Sequence, residues 1–431
     1  MELKAKRFFS RRKSCSCSMP GVWRAAAYAK GAVVIFHSPR ACAHVARTMD
    51  IGSHYTMMGE GRTEPMEPVP LLSSQLLEKH AIFGGTDRLQ KCIAFAVKNY
   101  APQCLIIANS CMSGVIGDDI EAIGSEAENK YGIPVITVTT AGFLDGEYSQ
   151  GYIDTAMQLA QRFLKPHQQV KNTAVLLGDS GGFWGTYAAE VIRLLGELGV
   201  TVIGQFPGYM AIDDYAKVTT AQASVILGNK NQTNFGFTKL AQYLKDEFHI
   251  NYMKETYPIS WDKTREWILN MGKLFDCEAK AASLAAHEYD RICKAAERFC
   301  RITAGKKTVL CVGRWALYFD PAPIISMAKL LKLDIQGIFL LPYYDDRERK
   351  LITEALQSCT DVPIYTGKSD DKDLIKNADL ILTTHELTDK DLKQVFLPLI
   401  PKVGAEGEID FMRGIYRALC SRSRNGGMHY V

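Results

Sequence analysis

No apolar run in this sequence reaches the ~18–20 residues that a membrane-crossing helix needs. The first eighteen residues, MELKAKRFFSRRKSCSCS, are basic and hold no apolar core of the ~7–15 residues that a secretory leader carries. Both absences argue for a cytoplasmic protein. Net charge is also low, +4 over 431 residues, so electrostatics gives no reason to expect a nucleic-acid or membrane partner. Low-complexity segments and short-period repeats are missing. Charged residues at 23%, with Gly and Pro at ordinary levels, exclude a disordered or fibrous chain. The apolar fraction of 47% is enough for sizeable cores. Length alone suggests about two to four domains.

Cysteine, by contrast, is plentiful, with twelve residues. A reducing cytosol keeps thiols free, which points a clustered subset toward metal binding or catalysis. Cys92, Cys104, Cys277, Cys293, Cys300, Cys311, Cys359 and Cys420 sit mostly within apolar strand or helix patterns and read as core or incidental. Residues 1–13 carry six basic side chains and one acid. They read as a solvated tail or as an arm that packs on a partner subunit.

Short β-branched runs alternate with helix-period segments. Strands are expected at Ala32–Phe36, Cys104–Ala108, Val135–Val138, Thr173–Leu177, Thr201–Gln205, Ser224–Leu227, Thr308–Val312, Leu333–Phe339 and Leu380–Thr383. Helices are expected at Leu89–Tyr100, Asp119–Tyr131, Tyr187–Leu198 and Asp346–Ser358, with a long helical region over Trp261–Ala304. This alternation indicates an α/β fold with parallel sheets covered on both faces. The pattern restarts at Thr173 and again at Thr308. We therefore expect domains at 1–170, 171–305 and 306–431, the first carrying a set of clustered cysteines.

That set is Cys17, Cys42 and Cys111. Cys17 precedes a Pro-Gly turn and a short Ala-rich helix, Cys42 lies in the loop past the first strand, and Cys111 lies past the Cys104–Ala108 strand with a helix following. Two of the three thus sit outside the carboxyl ends of parallel strands, where open α/β sheets collect ligands. Backbone N–H groups at a helix start stabilise thiolates and the sulfides of an anionic cluster. Three thiolates do not complete a four-ligand cluster site. Cys15 or a residue from a second chain would supply the fourth, and loops projecting from one rim favour the second chain. Two other readings stand beside this one: buried cysteines that merely end strands, and a zinc site built from Cys15, Cys17, Cys42 and Cys111.

The neighbouring residues resemble a known family. Cys111-Met-Ser-Gly-Val-Ile-Gly-Asp118-Asp119 is similar to the Cys-x-x-x-x-Ile-Gly-Asp-Asp motif of nitrogenase component 1. His37-Ser-Pro-Arg-Ala-Cys42 resembles its His-Gly-x-x-Gly-Cys loop, and Glu78-Lys-His-Ala-Ile-Phe-Gly84-Gly85 its Glu-x-x-x-Val-Phe-Gly-Gly turn. The Cys17-to-Cys42 spacing is also similar. Weaker likeness runs through Gly178-Asp179, Phe206-Pro207-Gly208 and Gly404-Ala405-Glu406-Gly407, so it covers nearly the whole chain.

The resemblance implies three Rossmann-like domains around a central cleft, with a C-terminal helix returning toward the first. It implies a nitrogenase-like oxidoreductase subunit with an iron–sulfur cluster, [4Fe-4S] or a P-cluster-like [8Fe-7S], shared with a partner chain. Cys17, Cys42 and Cys111 would be this chain's ligands. The partner would be a second component-1 subunit, a paralogue or another copy. A separate ATP-dependent iron protein would deliver low-potential electrons, to be relayed through the cluster to a substrate or cofactor site. This chain has no G-x-x-x-x-G-K-[ST] loop, so ATP hydrolysis belongs to that iron protein.

Departures from the family pattern narrow the reading. The family's catalytic chain holds its large cofactor with a Cys in domain two and a His near the C-terminus. Here Ser224-Val-Ile-Leu-Gly-Asn229 has no Cys and Pro401–Gly407 has no His, while His429 falls later. Ser38 and Ala41 stand where glycines are common. The chain thus looks like a beta-type, electron-relaying partner, with a non-catalytic scaffold for assembling a nitrogenase-type metallocofactor as the alternative. A plain α/β ligand-binding protein with structural cysteines is the third reading.

Single residues carry weaker signals. Asp118 and Asp119 suit proton transfer, or Asp119 a helix cap. His37, His44 and Arg40 flank Cys42 and could tune a cluster, or be an ordinary satisfied loop histidine and a surface cation. Gly178–Gly185 reads as a close strand-to-helix turn rather than a phosphate loop. Glu147–Tyr152, with Ser149, would border the cluster or a subunit interface.

Overall fold

The computed structural model describes residues 17–48, 67–144, 147–178, 186–228, 236–254, 257–313, 322–342, 344–366, 372–387, 392–397, 402–421 and 428–429. The first stretch runs α1 (Met19–Ala26), β1 (Ala32–His37), α2 (40–48), β2 (Leu71–Ser73), α3 (His80–Phe83), α4 (Thr86–Tyr100), β3 (Cys104–Asn109), α5 (Cys111–Ile116), α6 (Ile120–Tyr131), β4 (Val135–Val138) and α7 (Tyr148–Phe163). The second runs β5 (Val170–Leu177), α8 (Thr186–Leu198), β6 (Thr201–Phe206), a 3₁₀ segment (Ile212–Thr220), β7 (Ala221–Ile226), α9 (Phe237–Phe248), β8 (Asn251–Tyr252), α10 (Trp261–Leu274) and α11 (Glu278–Thr303). The third runs β9 (Lys307–Val312), α12 (Ala322–Leu330), β10 (Asp334–Leu340), α13 (Asp346–Gln357), β11 (Ile364–Thr366), α14 (Lys372–Lys376), β12 (Leu380–Thr383), β13 (Gln394–Phe396), α15 (Gly404–Cys420) and β14 (Met428–His429).

All described strand pairs are parallel, in three sheets ordered β2-β1-β3-β4, β6-β5-β7-β8 and β11-β10-β9-β12-β13-β14. The α/β class expected from the sequence is therefore present. Parallel strands need helical crossovers, which cover both faces and make the strands apolar throughout. β1 shows this alternation. Ala32, Val34 and Phe36 point into one core, and Val33 and Ile35 into another with Leu89 and Ile93 of α4 and Ile120 and Ile123 of α6. The core containing Val34 is continuous with that of the second sheet, reaching Leu176, Phe206 and Tyr215. The third sheet has cores of its own on each face.

Four local expectations change. Pro20 and Gly21 lie inside α1 rather than in a turn before it, because proline is tolerated in a helix's first turn. Cys42 lies in the first turn of α2 rather than in a loop, with its N–H on the Pro39 carbonyl. Trp261–Ala304 divides into α10 and α11, broken at Asp276, whose φ is +54°. The short strands β2, β8, β11, β13 and β14 were not anticipated, since two or three residues carry no readable period. Helix α15 packs mainly against α11, α10, β13 and α8. Among the described residues, no helix is long and apolar enough to cross a membrane.

Candidate functional site

The site starts where α1 crosses α7. A Cβ on Gly21 would stand 1.9 Å from the Tyr148 carbonyl oxygen, and one on Gly151 would stand 2.1 Å from that of Ser18. Only glycine permits this approach from both sides. The crossing holds buried Ser18 in place, and Ser18 follows Cys17 directly. Its hydroxyl donates toward the carbonyl oxygens of Thr140 (3.2 Å) and Gly142 (3.3 Å), and its N–H to Gly142 (3.4 Å). Gly142 in turn abuts Cys111. It has φ +56°, and a Cβ there would lie 2.9 Å from the Cys111 nitrogen. The turn at Ala141–Gly142 therefore spaces the Cys17 segment from the Cys111 helix.

Cys42 approaches from β1. β1 and β3 are neighbours although β2 intervenes in the sequence. The chain leaves β1 toward one side of the sheet and returns as β3 on the other, so the segments after β1 and β3 part at their carboxyl ends. Such a switch point is where open α/β sheets bind ligands. Cys42 follows β1 and Cys111 follows β3. The segments are tied by the main-chain oxygen of His37, which accepts from the Ser113 hydroxyl (2.9 Å), the Ser110 hydroxyl (3.0 Å) and the Ser110 N–H (3.2 Å). Ser110 is the N-cap of α5, in a capping box with Ser113.

A second knot lies beneath. His37 is buried, with Nδ1 2.9 Å from the Ser74 hydroxyl and Nε2 2.9 Å from Asp118 Oδ2. Asp118 also accepts the Gly85 N–H on both oxygens, at 3.1 and 2.9 Å. A Cβ on Gly85 would press on the side chains of Leu76 (2.4 Å), Asp118 (2.8 Å) and His37 (3.0 Å), so a larger residue here would crowd the pair. Burial lowers the His37 pKa, and the Asp118 hydrogen bond opposes that shift without cancelling it.

The thiols of Cys17, Cys42 and Cys111 are all half-buried. Burial raises the Cys42 pKa; a hydrogen bond from Ser38 opposes this, and Cys111 lies close enough to raise it further. Among the described residues, no three His, Cys, Asp or Glu side chains converge as ligands of a single metal ion. A mononuclear zinc or iron would need donors about 2.0–2.3 Å from one point. The donor set is all sulfur, the class that iron–sulfur clusters select. Cys15 lies outside the described residues.

Apolar side chains stand exposed around this rim. Ile82 and Phe83 end α3 at 79% and 83% exposure, Val115 on α5 is 75% exposed, and Phe143 and Leu144 follow the Gly142 turn at 62% and 55%. Helix α3 packs on α5, which brings the first three together. Exposed apolar groups gathered in this way mark protein-interaction surfaces.

The remaining sequence candidates sort simply. Asp119 caps α6, accepting the Ala122 N–H at 2.9 Å. His44 and Arg40 are exposed on α2. Ser149 is half-buried in the first turn of α7, and its neighbour Gly151 makes the α1 contact. Cys104 and Cys311 are buried, Cys420 is exposed, and Cys92, Cys277, Cys293, Cys300 and Cys359 are half-buried. The basic arm 1–13 and residues 179–185 lie outside the described residues. Ser18, Ser110, Ser113 and Gly142 are the site residues that sequence reasoning missed. Only the Ser-x-x-Ser spacing at 110–113, a cap signature, offered a signal.

The nitrogenase component 1 type oxidoreductase family model matches residues 17–420. The chain is 23% identical to the nitrogenase iron-molybdenum cofactor biosynthesis protein NifE of Nostoc sp., over 95% of this chain and 86% of that one. It is 24% identical to the nitrogenase molybdenum-iron protein alpha chain of Methanothermobacter thermautotrophicus, over 68% of this chain and 63% of that one. These relatives are a NifE protein and an alpha chain. A solved structure titled "Nitrogenase Cp1 at pH 5" superposes with a TM-score of 0.65 at 18% identity, covering 98% of this chain and 92% of the other. That likeness carries the fold. The match over residues 17–420 means that this chain belongs to the nitrogenase component 1 family.

Proposed function

We propose that this chain is a cluster-holding subunit of a nitrogenase-like reductase, with Cys17, Cys42 and Cys111 as its ligands. The observation that carries the reading is the meeting of three separate segments at one rim of the first sheet. Ser18, Gly142 and the His37 carbonyl hold those segments together. When bound, an iron–sulfur cluster supplies one-electron chemistry at low potential. The chain's own residues present three thiols from half-buried positions and tie their segments together. Three thiolates leave a four-ligand set incomplete, and the exposed Ile82, Phe83, Val115 and Phe143 support completion by a second component-1 chain. In this reading an ATP-dependent iron protein supplies the electrons, and the substrate or cofactor site lies on this chain or its partner.

A second reading has its own support. The similarity to NifE extends over 95% of this chain, and that protein is named for cofactor biosynthesis. The rim could then serve a scaffold that carries a precursor without turnover.

Anaerobic purification with iron and sulfide counting tests the shared core of both readings. Colourless, iron-free, well-folded protein overturns them. The double substitution Cys42→Ala and Cys111→Ala should abolish iron retention with the fold intact. ATP-dependent oxidation of a reduced iron protein over successive turnovers, after mixing with the loaded protein, separates the two. A reductase subunit accepts electrons repeatedly. A scaffold surrenders its metal to an acceptor protein instead.

A further inference from the structure

We propose that Asp118 is a positioning residue that fixes the Cys42 and Cys111 segments before any cluster arrives. This rests on the cluster reading above for its purpose, but its geometry stands alone. Asp118 follows α5 directly after the Gly117 C-cap, whereas Cys111 opens the same helix. Through its hydrogen bond to His37, Asp118 tethers the carboxyl end of that helix to the end of β1. The His37 carbonyl tethers the amino end, through Ser110 and Ser113. Helix α5 is thus pinned at both ends by one residue of β1.

Cys42 is held through the same residue's neighbour. The Ser38 hydroxyl donates to the Pro39 carbonyl (2.9 Å), whose oxygen also accepts the Cys42 N–H (3.1 Å), and the Ser38 N–H donates to the Ser74 hydroxyl (3.2 Å) that His37 Nδ1 also engages. The Asp118 contact to Gly85 N–H adds the turn that leads out of α3. His37, Ser74, Gly85 and Asp118 come from four separate places in the chain. Three of those places belong to the motifs by which the family resemblance was noticed. None of the four is a thiol, so a ligand role does not explain why they meet. Their common product is a fixed relation between two cysteine segments.

The node is buried, with His37 at 0% and the Asp118 side chain at 5% exposure. Its loss leaves a buried imidazole and a backbone N–H without an acceptor, an expensive change at a place that ordinary surface loops leave to water. Asn at 118 keeps an oxygen for Gly85 and a reach toward His37, whereas Ala keeps neither. The pair of variants therefore separates an organising acceptor from mere bulk.

The test uses the full chain, first stripped of metal and then reconstituted anaerobically. Peptide mapping follows iodoacetamide labelling of Cys42 and Cys111 in the metal-free protein. Asp118→Ala should accelerate labelling of both by about tenfold to a hundredfold, the range expected for losing a charge-assisted hydrogen bond. Asp118→Asn should stay within a few-fold of the parent. Gly85→Ala, which crowds the node without removing the carboxylate, should act in the same direction and guards against a misfolded Ala variant. On reconstitution, Asp118→Ala should hold less iron and alter the electron paramagnetic resonance spectrum of the reduced protein, and Asn should restore both. Parent-like labelling, iron content and spectrum in Asp118→Ala and Gly85→Ala overturn the proposal. If instead Cys42→Ala, Cys111→Ala protein keeps its iron, the ligand assignment fails, while the labelling comparison still decides the role of Asp118.

Discussion

Ser18 engages Gly142 twice, through its N–H at 3.4 Å and its hydroxyl at 3.3 Å, and so joins the Cys17 segment to the turn that abuts Cys111. Ser18→Ala removes a buried donor and should cost about 1 kcal/mol in denaturant unfolding. Gly142→Ala should cost more, about 1–3 kcal/mol, because it places a Cβ at φ +56° and 2.9 Å from the Cys111 nitrogen. Iron counting should show a larger loss for Gly142→Ala than for Ser18→Ala. Equal and full retention in both would detach this turn from the site.

The thiols divide by acidity and access. Burial pushes Cys92 to about 11 and Cys104 and Cys311 to about 12, so these are protonated at neutral pH and inert. Iodoacetamide at pH 8 should label exposed Cys420 rapidly and spare Cys104 and Cys311. Iron loading should protect Cys17, Cys42 and Cys111 alone. Protection of any of the other nine would redraw the ligand set.

A surface prediction concerns Phe83, which is 83% exposed at the end of α3. Phe83→Asp should leave the melting temperature within about 2 °C, as surface changes usually do. In sedimentation or mass photometry, it should weaken association with a second component-1 chain or with the iron protein by tenfold or more, the scale of a central apolar anchor (~1.4 kcal/mol or above). Unchanged association with both would remove Phe83 from the contact surface.

Glu288 is buried at 0% exposure between two arginines. Arg193 grips it bidentately at 2.7 and 3.2 Å, and Arg291 adds contacts at 3.0 and 3.1 Å. Arg193 also binds Glu190, and Arg291 also binds Glu406, which links α8, α11 and α15. Arg193→Ala leaves Glu288 with one cation and should destabilise by about 2–4 kcal/mol, somewhat below the cost of breaking a fully buried pair because the Arg193 side chain is about a third exposed. Arg193→Ala with Glu288→Leu should recover most of that loss. Chemical denaturation measures both.

Glu408 gives the pH dependence. It is nearly buried on α15, faces Asp262, and its Oε2 has no hydrogen-bond partner among the described residues. Burial, with Asp262 adding, raises its pKa to about 7 from 4.5. A carboxyl whose folded pKa is raised favours the native state when protonated. Its contribution is therefore full below about pH 4.5 and is lost as pH rises through about 7. Glu408→Gln should raise stability at pH 8 by on the order of 1–3 kcal/mol and change little at pH 4. A parallel shift at both pH values would refute this assignment.

Much of the scaffold could be read from local pattern. The alternation of Val33 and Ile35 against Val34 and Phe36 announces a strand covered on both faces. Asp119 before Ile-Glu-Ala-Ile announces a capped helix, and the structure has it. The candidate cysteines could be singled out because a thiol just past a strand is a chemical signal. What held them was hidden, because it depends on partners far apart in the chain. His37 and Asp118 are 81 residues apart, and Ser18 meets Gly142 at a separation of 124. The Gly21–Gly151 crossing carries no periodicity, and neither glycine is distinctive alone. The start of α2 was masked by Pro39, which ordinarily signals extended chain but here stands just ahead of a helix.

The first two sheets share a single apolar interior. Tyr28 stacks on Tyr209 with centroids 5.3 Å apart, Phe163 meets Tyr215 edge-on, and Gly208 sits where a Cβ would come within 2.8 Å of the Arg24 carbonyl oxygen. A polypeptide ending near residue 170 would bare half of that interior to water and stick to its neighbours. The cysteine rim is therefore not a detachable cassette. Its smallest self-standing carrier extends into the α10–α11 pair, whose Trp267, Met271 and Ala281 close the same interior. Graft or truncation designs that respect this boundary should stay soluble, and those that stop at the first sheet should precipitate.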